Sequence, residues 1–214
     1  MTSSAPKPRT RKNPEDRRAE ILDTAAALAL RLGLEKVTMR LVAEKLDVRP
    51  GLISHYFKSV DELTCAAFEL AAVREREAIF SVGMAEGDEL GNIAQFLANV
   101  AAPDFENLGK LWLNVRHLSR YRESLRTVVN AQEELTLVGL TELIARAERA
   151  GQVTPQNPRL AASGILVAID GAGSYVNTAE PEALAELTPL IRVAAEYLLG
   201  LAPGTLPQRS TGGG

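Results

Sequence analysis

An all-α fold is what this chain of 214 residues predicts, on three observations. Alanine and leucine dominate, and apolar residues recur every three or four positions through most segments. Runs of alternating β-branched residues, the mark of half-buried strands, are missing. The punctuation is that of helices: Asn13-Pro14, Thr38, Arg49-Pro50 and Ser59 stand at starts, Gly33, Gly151 and Gly200 at ends. With 46% hydrophobic residues there is ample material for a core, although aromatics amount to only 5%.

In order along the chain, residues 1–12 have no apolar periodicity and read as a disordered basic arm, in which Arg9, Arg11 and Lys12 are candidates to reach DNA phosphates or a minor groove. Asn13-Pro14-Glu15-Asp16 starts a first helix with a capping amide, a first-turn proline and two acids at the positive end of the helix dipole. Ile21, Leu22, Ala25, Leu28, Ala29 and Leu32 form its buried stripe, and Gly33 ends it.

The stretch from Thr38 to Phe57 organises the rest. Thr38 caps a helix of about two turns whose inner face is Met39, Val42, Ala43 and Leu46. Asp47 falls at the turn, where a left-handed residue is wanted and Asp is tolerated. Pro50 then opens a second helix to Phe57, with Val48, Ile53 and Phe57 inward and Leu52, Ser54, His55 and Tyr56 at the rim or outside. A helix this short is marginal alone, so its neighbours must present it, as a helix-turn-helix presents its second helix to a major groove. An ordinary buried αα-turn is the alternative on these residues. Arg40, Tyr56 and Lys58 are candidates for phosphate contacts, with Thr38 beside them; Arg49, Leu52, Ser54 and His55 are placed to touch base edges, and Gly51 permits close backbone approach.

Ser59 and Glu62 have the spacing of a capping box and open a long helix through Leu63, Phe68, Leu70 and Val73. The charge run Arg74-Glu75-Arg76-Glu77 on it reads as a solvated face. Further helices are expected near 89–101, 104–121, 123–150, 159–178 and 181–200, with a frayed tail from Pro203. The expected organisation is an arm at 1–12, a helix-turn-helix DNA-binding domain at 13–60, a helical ligand-binding and dimerisation domain at 61–202 and a tail at 203–214.

Charge supports the division. Residues 1–60 carry a net +5 and residues 61–214 a net −8, so a polyanion would be met by the first segment alone. The single cysteine, Cys65, excludes an intramolecular disulfide framework and a thiolate metal cluster, and reads as a small apolar residue on a helix face. Catalysis is not expected: the histidines are His55 and His117, no zinc-ligand spacing exists, and Gly171-Ala172-Gly173 lies inside a helical run. No metal and no cofactor are expected. The first twelve residues lack the apolar centre of a signal peptide, and Leu160 to Ile169 is too short to span a bilayer. A cytoplasmic protein without membrane partners is expected.

The run from Ile21 to Phe68 resembles the DNA-binding domain of the TetR family of bacterial transcriptional regulators. Ile21-Leu22-Asp23, Gly33, Thr38, Val42, Ala43, Val48, Gly51, Tyr56-Phe57-Lys58 and Asp61-Glu62-Leu63 carry the resemblance, with weaker agreement at Leu111-Trp112-Leu113 and Ile169-Asp170-Gly171. Within that family, Gly51 to Phe57 is most similar to the betaine/choline-responsive BetI-type repressors. Asp47 departs from the usual glycine and Arg49 from the usual capping Ser or Thr. The resemblance implies a homodimer on double-stranded DNA with a palindromic operator, and a small-molecule effector of unknown identity in the C-terminal domain. Repression relieved by the effector is the family default. A helical ligand- or partner-binding dimer without sequence-specific DNA binding is the alternative.

Two features of the C-terminal part complete the reading. Trp112, Asn114, Arg116, His117 and Tyr121, with Asp170 and Tyr175, are polar or aromatic residues set in apolar helices and are the candidate ligand-binding residues. Asp170 in an apolar run needs a partner: Arg116, a helix end or a cationic ligand. For dimerisation, Ala161, Ala162, Gly164, Ala168 and Ala172 permit close packing, and Leu184, Leu187, Leu190, Ile191, Ala194 and Leu198 supply a stripe. An intramolecular core would have the same pattern.

Overall fold

The structure is a computed structural model that describes residues 13–81, 84–102, 106–175 and 181–207, the side chains of 106 and 181–188 excepted. Among the described residues it is built of helices and their connections, with no strand.

Asn13 caps α1 (Pro14–Leu32), its side-chain oxygen accepting from the Glu15 and Asp16 N–H groups at 2.6 and 3.3 Å. Gly33 ends that helix at φ +90°, and a 3₁₀ turn over Leu34–Lys36, absent from the sequence expectation, leads onward. The Thr38 hydroxyl accepts from Leu41 N–H at 3.1 Å to start α2 (Met39–Lys45). Asp47 then adopts φ +51°; its N–H donates to the Glu44 carbonyl at 3.2 Å, and Val48 N–H reaches back to the Ala43 carbonyl at 2.9 Å. This is a Schellman turn with aspartate in the left-handed position. It reverses the chain into α3 (Pro50–Tyr56), which starts on proline with no side-chain cap from Arg49.

The long α4 (Val60–Ser81) follows. Glu62 N–H donates to Ser59 Oγ at 3.0 Å, while the Glu62 carboxylate accepts from Lys58 N–H at 2.8 Å, one residue before the expected box partner. The remaining helices are α5 (Glu89–Val100), α6 (Glu106–Ser119), α7 (Glu123–Arg149), α8 (Pro158–Gly173) and α9 (Pro181–Leu198). The eighth helix stops at Gly173, not at the expected 178: glycines at 171 and 173 favour a frayed end, and Ser174 closes it.

Two cores result. The first joins Ile21, Val42, Ile53, Phe57, Leu63 and Phe68 to Leu111, Val115, Leu125 and Val129, so α1 to α3 share their interior with α4, α6 and the start of α7. The second holds Ile79, Phe96, Leu140, Ile144, Ile165 and Leu199. Leu32 departs from the expected buried stripe and is exposed at the end of α1. A polar clasp ties the halves: Arg122 donates from Nε to Asp61 at 2.9 Å and from Nη2 to Thr64 at 2.6 Å, with Ser124 on the same carboxylate. These hydrogen bonds, Ser124 first and then Arg122, hold the Asp61 carboxyl below its usual pKa.

Two glycines with nearly the same backbone twist separate conformational from steric cost. Gly151 (φ +69°) faces open space, whereas a Cβ on Gly200 (φ +70°) would lie 2.6 Å from the Thr154 carbonyl oxygen. Gly151→Ala is expected to cost about 1 kcal/mol and Gly200→Ala at least about twice that in urea unfolding.

Candidate functional site

The short α3 is held from below and free above. Ile53 and Phe57 are fully buried, with the Arg18 guanidinium over the Phe57 ring at 4.8 Å. Its other positions point away: Gly51, Ser54 and His55 are exposed, as are Thr38, Arg40, Arg49 and Lys58 on the flanking turns, while Leu52 and Tyr56 are half-buried. Val48, expected inward, is half-buried against the first core. The Ser54 hydroxyl is within reach of the Met39 sulfur at 3.3 Å and the Pro50 carbonyl at 3.4 Å, so α2 and α3 are stitched on their outer side as well. The His55 and Tyr56 rings meet edge-on at 5.3 Å. A Cβ on Gly51 would touch nothing within 4 Å, which leaves the backbone there open to close approach. The segment from Arg49 to Lys58 holds no acid, so nothing on the helix itself repels a phosphate. Arg9, Arg11 and Lys12 lie outside the described residues.

The second feature is a cavity of about 730 Å³, lined by α4 to α9 and partly open to solvent. Ile79, Phe96, Leu97, Val100, Leu137 and Leu166 form its apolar walls. Its polar end is one connected constellation. Arg116 donates from Nε to Glu133 at 2.7 Å and from Nη1 to Asp170 at 2.9 Å, and its guanidinium lies over the Trp112 ring at 5.2 Å. The Trp112 indole N–H donates to Glu75 at 2.6 Å. Burial opposes the Arg116 charge, but the hydrogen bond to Glu133 and the field of Asp170 more than offset it and raise the guanidinium pKa. Burial pushes the Asp170 carboxyl up against the pull of Arg116. The Glu75 carboxyl is pushed up to about 7, by burial first, with the Trp112 hydrogen bond acting the other way.

Of the residues singled out in the sequence, Trp112, Arg116 and Asp170 meet at this cavity. The other four do not line it. Asn114 turns the opposite way, accepting from Leu34 N–H and donating to Glu35, both at 2.8 Å, because it sits on the face of α6 that packs on the 3₁₀ turn. His117 and Tyr121 pair edge-on at 5.6 Å in exposed positions, and Tyr175 is exposed beyond the end of α8. Sequence reasoning misses Glu75 and Glu133. Glu75 stands in a charge run that looks solvated, yet it falls in register with Phe68, Ala72 and Ile79, all buried, and that spacing is the available signal.

Among the described residues, no group of three or more His, Cys, Asp or Glu is arranged to hold a metal, and no helix is long and apolar enough to cross a membrane.

These features define a helix-turn-helix joined to a helical body that holds a partly open cavity. Residues 21–67 match the family model of the bacterial regulatory proteins, tetR family. The chain is 27% identical over 170 residues to the HTH-type transcriptional regulator BetI of Burkholderia thailandensis, covering 73% of this chain and 80% of that protein. Over 69 residues it is 44% identical to the HTH-type transcriptional repressor KstR of Rhodococcus jostii, a match confined to 32% of this chain and 31% of KstR. A transcriptional regulator of Saccharomonospora viridis, crystallised in complex with choline, shares the fold at a TM-score of 0.69 and 19% identity, over 86% of this chain and 97% of its own. Residues 21–67 therefore match the tetR-family DNA-binding segment, and the chain is similar over most of its length to a transcriptional regulator.

The raised Glu75 pKa has a measurable sign. A carboxyl that binds its proton more tightly when folded loses stability for the native state as pH rises from about 4.5 to 7. Glu75→Gln retains an acceptor for the Trp112 N–H and carries no charge. It is expected to be more stable than the parent at pH 8, by about 1–3 kcal/mol, and to match it at pH 5, as read by thermal unfolding in the two buffers.

Proposed function

We propose that this regulator binds a palindromic operator as a homodimer, represses from it, and is modulated by a small molecule held in the chamber between α4 and α9. The observation that carries the reading is the outer face of α3: exposed, free of acid, and fixed from beneath by Ile53 and Phe57. Rigid mounting matters because half-sites on one side of a duplex are about 34–36 Å apart, and two α3 helices must hold that separation.

In this reading residues 13–60 form the DNA-binding domain and 61–202 the ligand-binding and dimerisation domain. Arg40 and Lys58 bind phosphates, with Thr38 donating the hydroxyl proton that its capping role leaves unused, and Tyr56 and the arm residues Arg9, Arg11 and Lys12 assisting. Arg49, Leu52, Ser54 and His55 face the base edges, and Gly51 admits the backbone. Repression is supported by the name of KstR, to which 32% of this chain is similar. That the choline complex shares the fold supports a small-molecule effector without identifying one.

The dimer face is the outside of α8 and α9. Leu160, Val167, Leu190, Val193 and Tyr197 are 57–83% exposed there, an apolar surface unusual for a face meant for water. Of the set expected from the sequence, Leu190 falls on this face. Ala161 and Ala162 are buried, a Cβ on Gly164 would lie 2.7 Å from Leu198, and Ile191 lines the chamber, so those residues pack α8 on α9 within the chain. The side chains of Leu184 and Leu187 lie outside the described part.

Selection of bound duplexes from a random pool is expected to return an inverted repeat, and light scattering to give twice the 23.0 kDa chain mass. A site without two-fold symmetry, or a monomer, overturns the reading. Arg40→Ala and Lys58→Ala are expected to weaken binding to all duplexes alike, and each to lower the slope of log K against log salt by about one unit, since one phosphate fewer is neutralised. A weakening confined to one base pair contradicts the phosphate role.

A further inference from the structure

The chamber is unbalanced in charge. Taking the helices around Glu75 in turn, α4 adds Arg76, whose guanidinium donates to Gln132 at 2.7 Å. Helix α5 brings only apolar walls here. Helix α6 brings Arg116, and α7 brings Glu133 and also Glu134, which is bound to Arg159 at 2.8 Å. Helix α8 brings Asp170, and α9 brings Ile191. Arg116 is shared by Glu133 and Asp170, so its one charge faces two carboxylates before Glu75 is considered. The hydrogen-bond donor to Glu75 is the neutral Trp112 indole, and Arg116 and Arg76 act on it through their fields. When all three carboxylates are ionised they outnumber Arg116 and Arg76 by one negative charge, with Glu133 and Asp170 partly open to solvent.

A wall of that sign selects its guest. An anion would be repelled, and a neutral guest would leave the excess charge unanswered. The volume, about 730 Å³, lies in the range that holds a drug-sized molecule and far exceeds a small ammonium ion. We propose that the chamber takes an organic monocation, its charge beside Glu75 and Asp170 and its bulky apolar body between Phe96, Leu137 and Leu166. The inference rests on the chamber being the effector site. The cation then shifts the balance at Glu75: the carboxyl gives up its proton to solvent as the guest enters, and the carboxylate becomes its counterion.

The chain holds one tryptophan, and it lines the chamber, so its fluorescence reports on filling. Tetraphenylphosphonium and tetraphenylborate, alike in size and opposite in charge, are the probes, titrated into the full chain in sodium buffer. The cation is expected to bind at least about ten-fold tighter than the anion at pH 8. Its affinity should rise about ten-fold from pH 6 to pH 8, as a carboxyl titrating near 7 goes from about one tenth to nine tenths ionised. Calorimetry at pH 7 in two buffers of different ionisation enthalpy should register proton release.

Glu75→Gln should flatten the pH profile and narrow the preference for the cation. Asp170→Asn should narrow that preference while keeping the pH dependence. Equal binding of both probes, tighter binding of the anion, binding of neither, or a preference indifferent to both substitutions overturns the proposal. An operator mobility shift on the same preparation keeps the two readings apart: DNA binding that persists when charge selectivity is absent removes the cation and leaves the regulator.

Discussion

Everything in this molecule depends on one constraint: α3, a helix of seven residues, cannot hold its own shape. It contributes one wholly buried side chain, Ile53, with Tyr56 packed beside the core and Phe57, just past its end, wholly buried. Ile53 and Phe57 are buried in a core that α1 and α2 share with α4, α6 and the first turns of α7. The outer face of α3 is therefore as rigid as that shared core. The same sharing makes the reading helix unable to ignore a shift in α4 or α6, since close-packed interiors transmit small displacements instead of absorbing them.

Helix α6 occupies the junction. On one side Asn114 clasps the 3₁₀ turn between α1 and α2 through Leu34 and Glu35. On the other, Arg116 gathers carboxylates from α7 and α8. Between them Trp112 touches both compartments, its ring edge-on to Phe68 at 5.0 Å in the first core and its N–H on Glu75 at the chamber. The Arg122 clasp on Asp61 fixes the far end of the same unit to the start of α4. In the proposed reading, a guest that rearranges the polar end of the cavity would act on residues one helical turn from those holding α1 and α2, which gives a population shift a material route.

The sequence is most legible where the chemistry is local. Asn13 and Thr38 accept from the N–H groups that a cap should satisfy, Asp47 takes the left-handed turn that the neighbouring Schellman bonds require, and α3 begins on Pro50 with Arg49 giving no cap. Faces are legible only when one partner decides them. The charged run at Arg74 to Glu77 looks uniform in sequence, yet its members diverge: Arg74 pairs with Asp23, Arg76 reaches Gln132, and Glu75 opens on the chamber. The polar residues of α6 diverge in the same way, since successive positions on a helix are about 100° apart and three different surfaces surround this one.

The sequence by itself determined the all-α class, the position of the two short helices and their turn, and which side of the second would face outward. Those follow from capping, proline and glycine geometry, and apolar spacing, which act within a few residues. Only the tertiary structure decided that Glu75, Arg116, Glu133 and Asp170 form one constellation, and that Gly164 and Leu198 pack within the chain while Val167 and Tyr197 stay bare. Four helices contribute to the first and two to the second, and an amphipathic pattern records that a face is covered without recording by what.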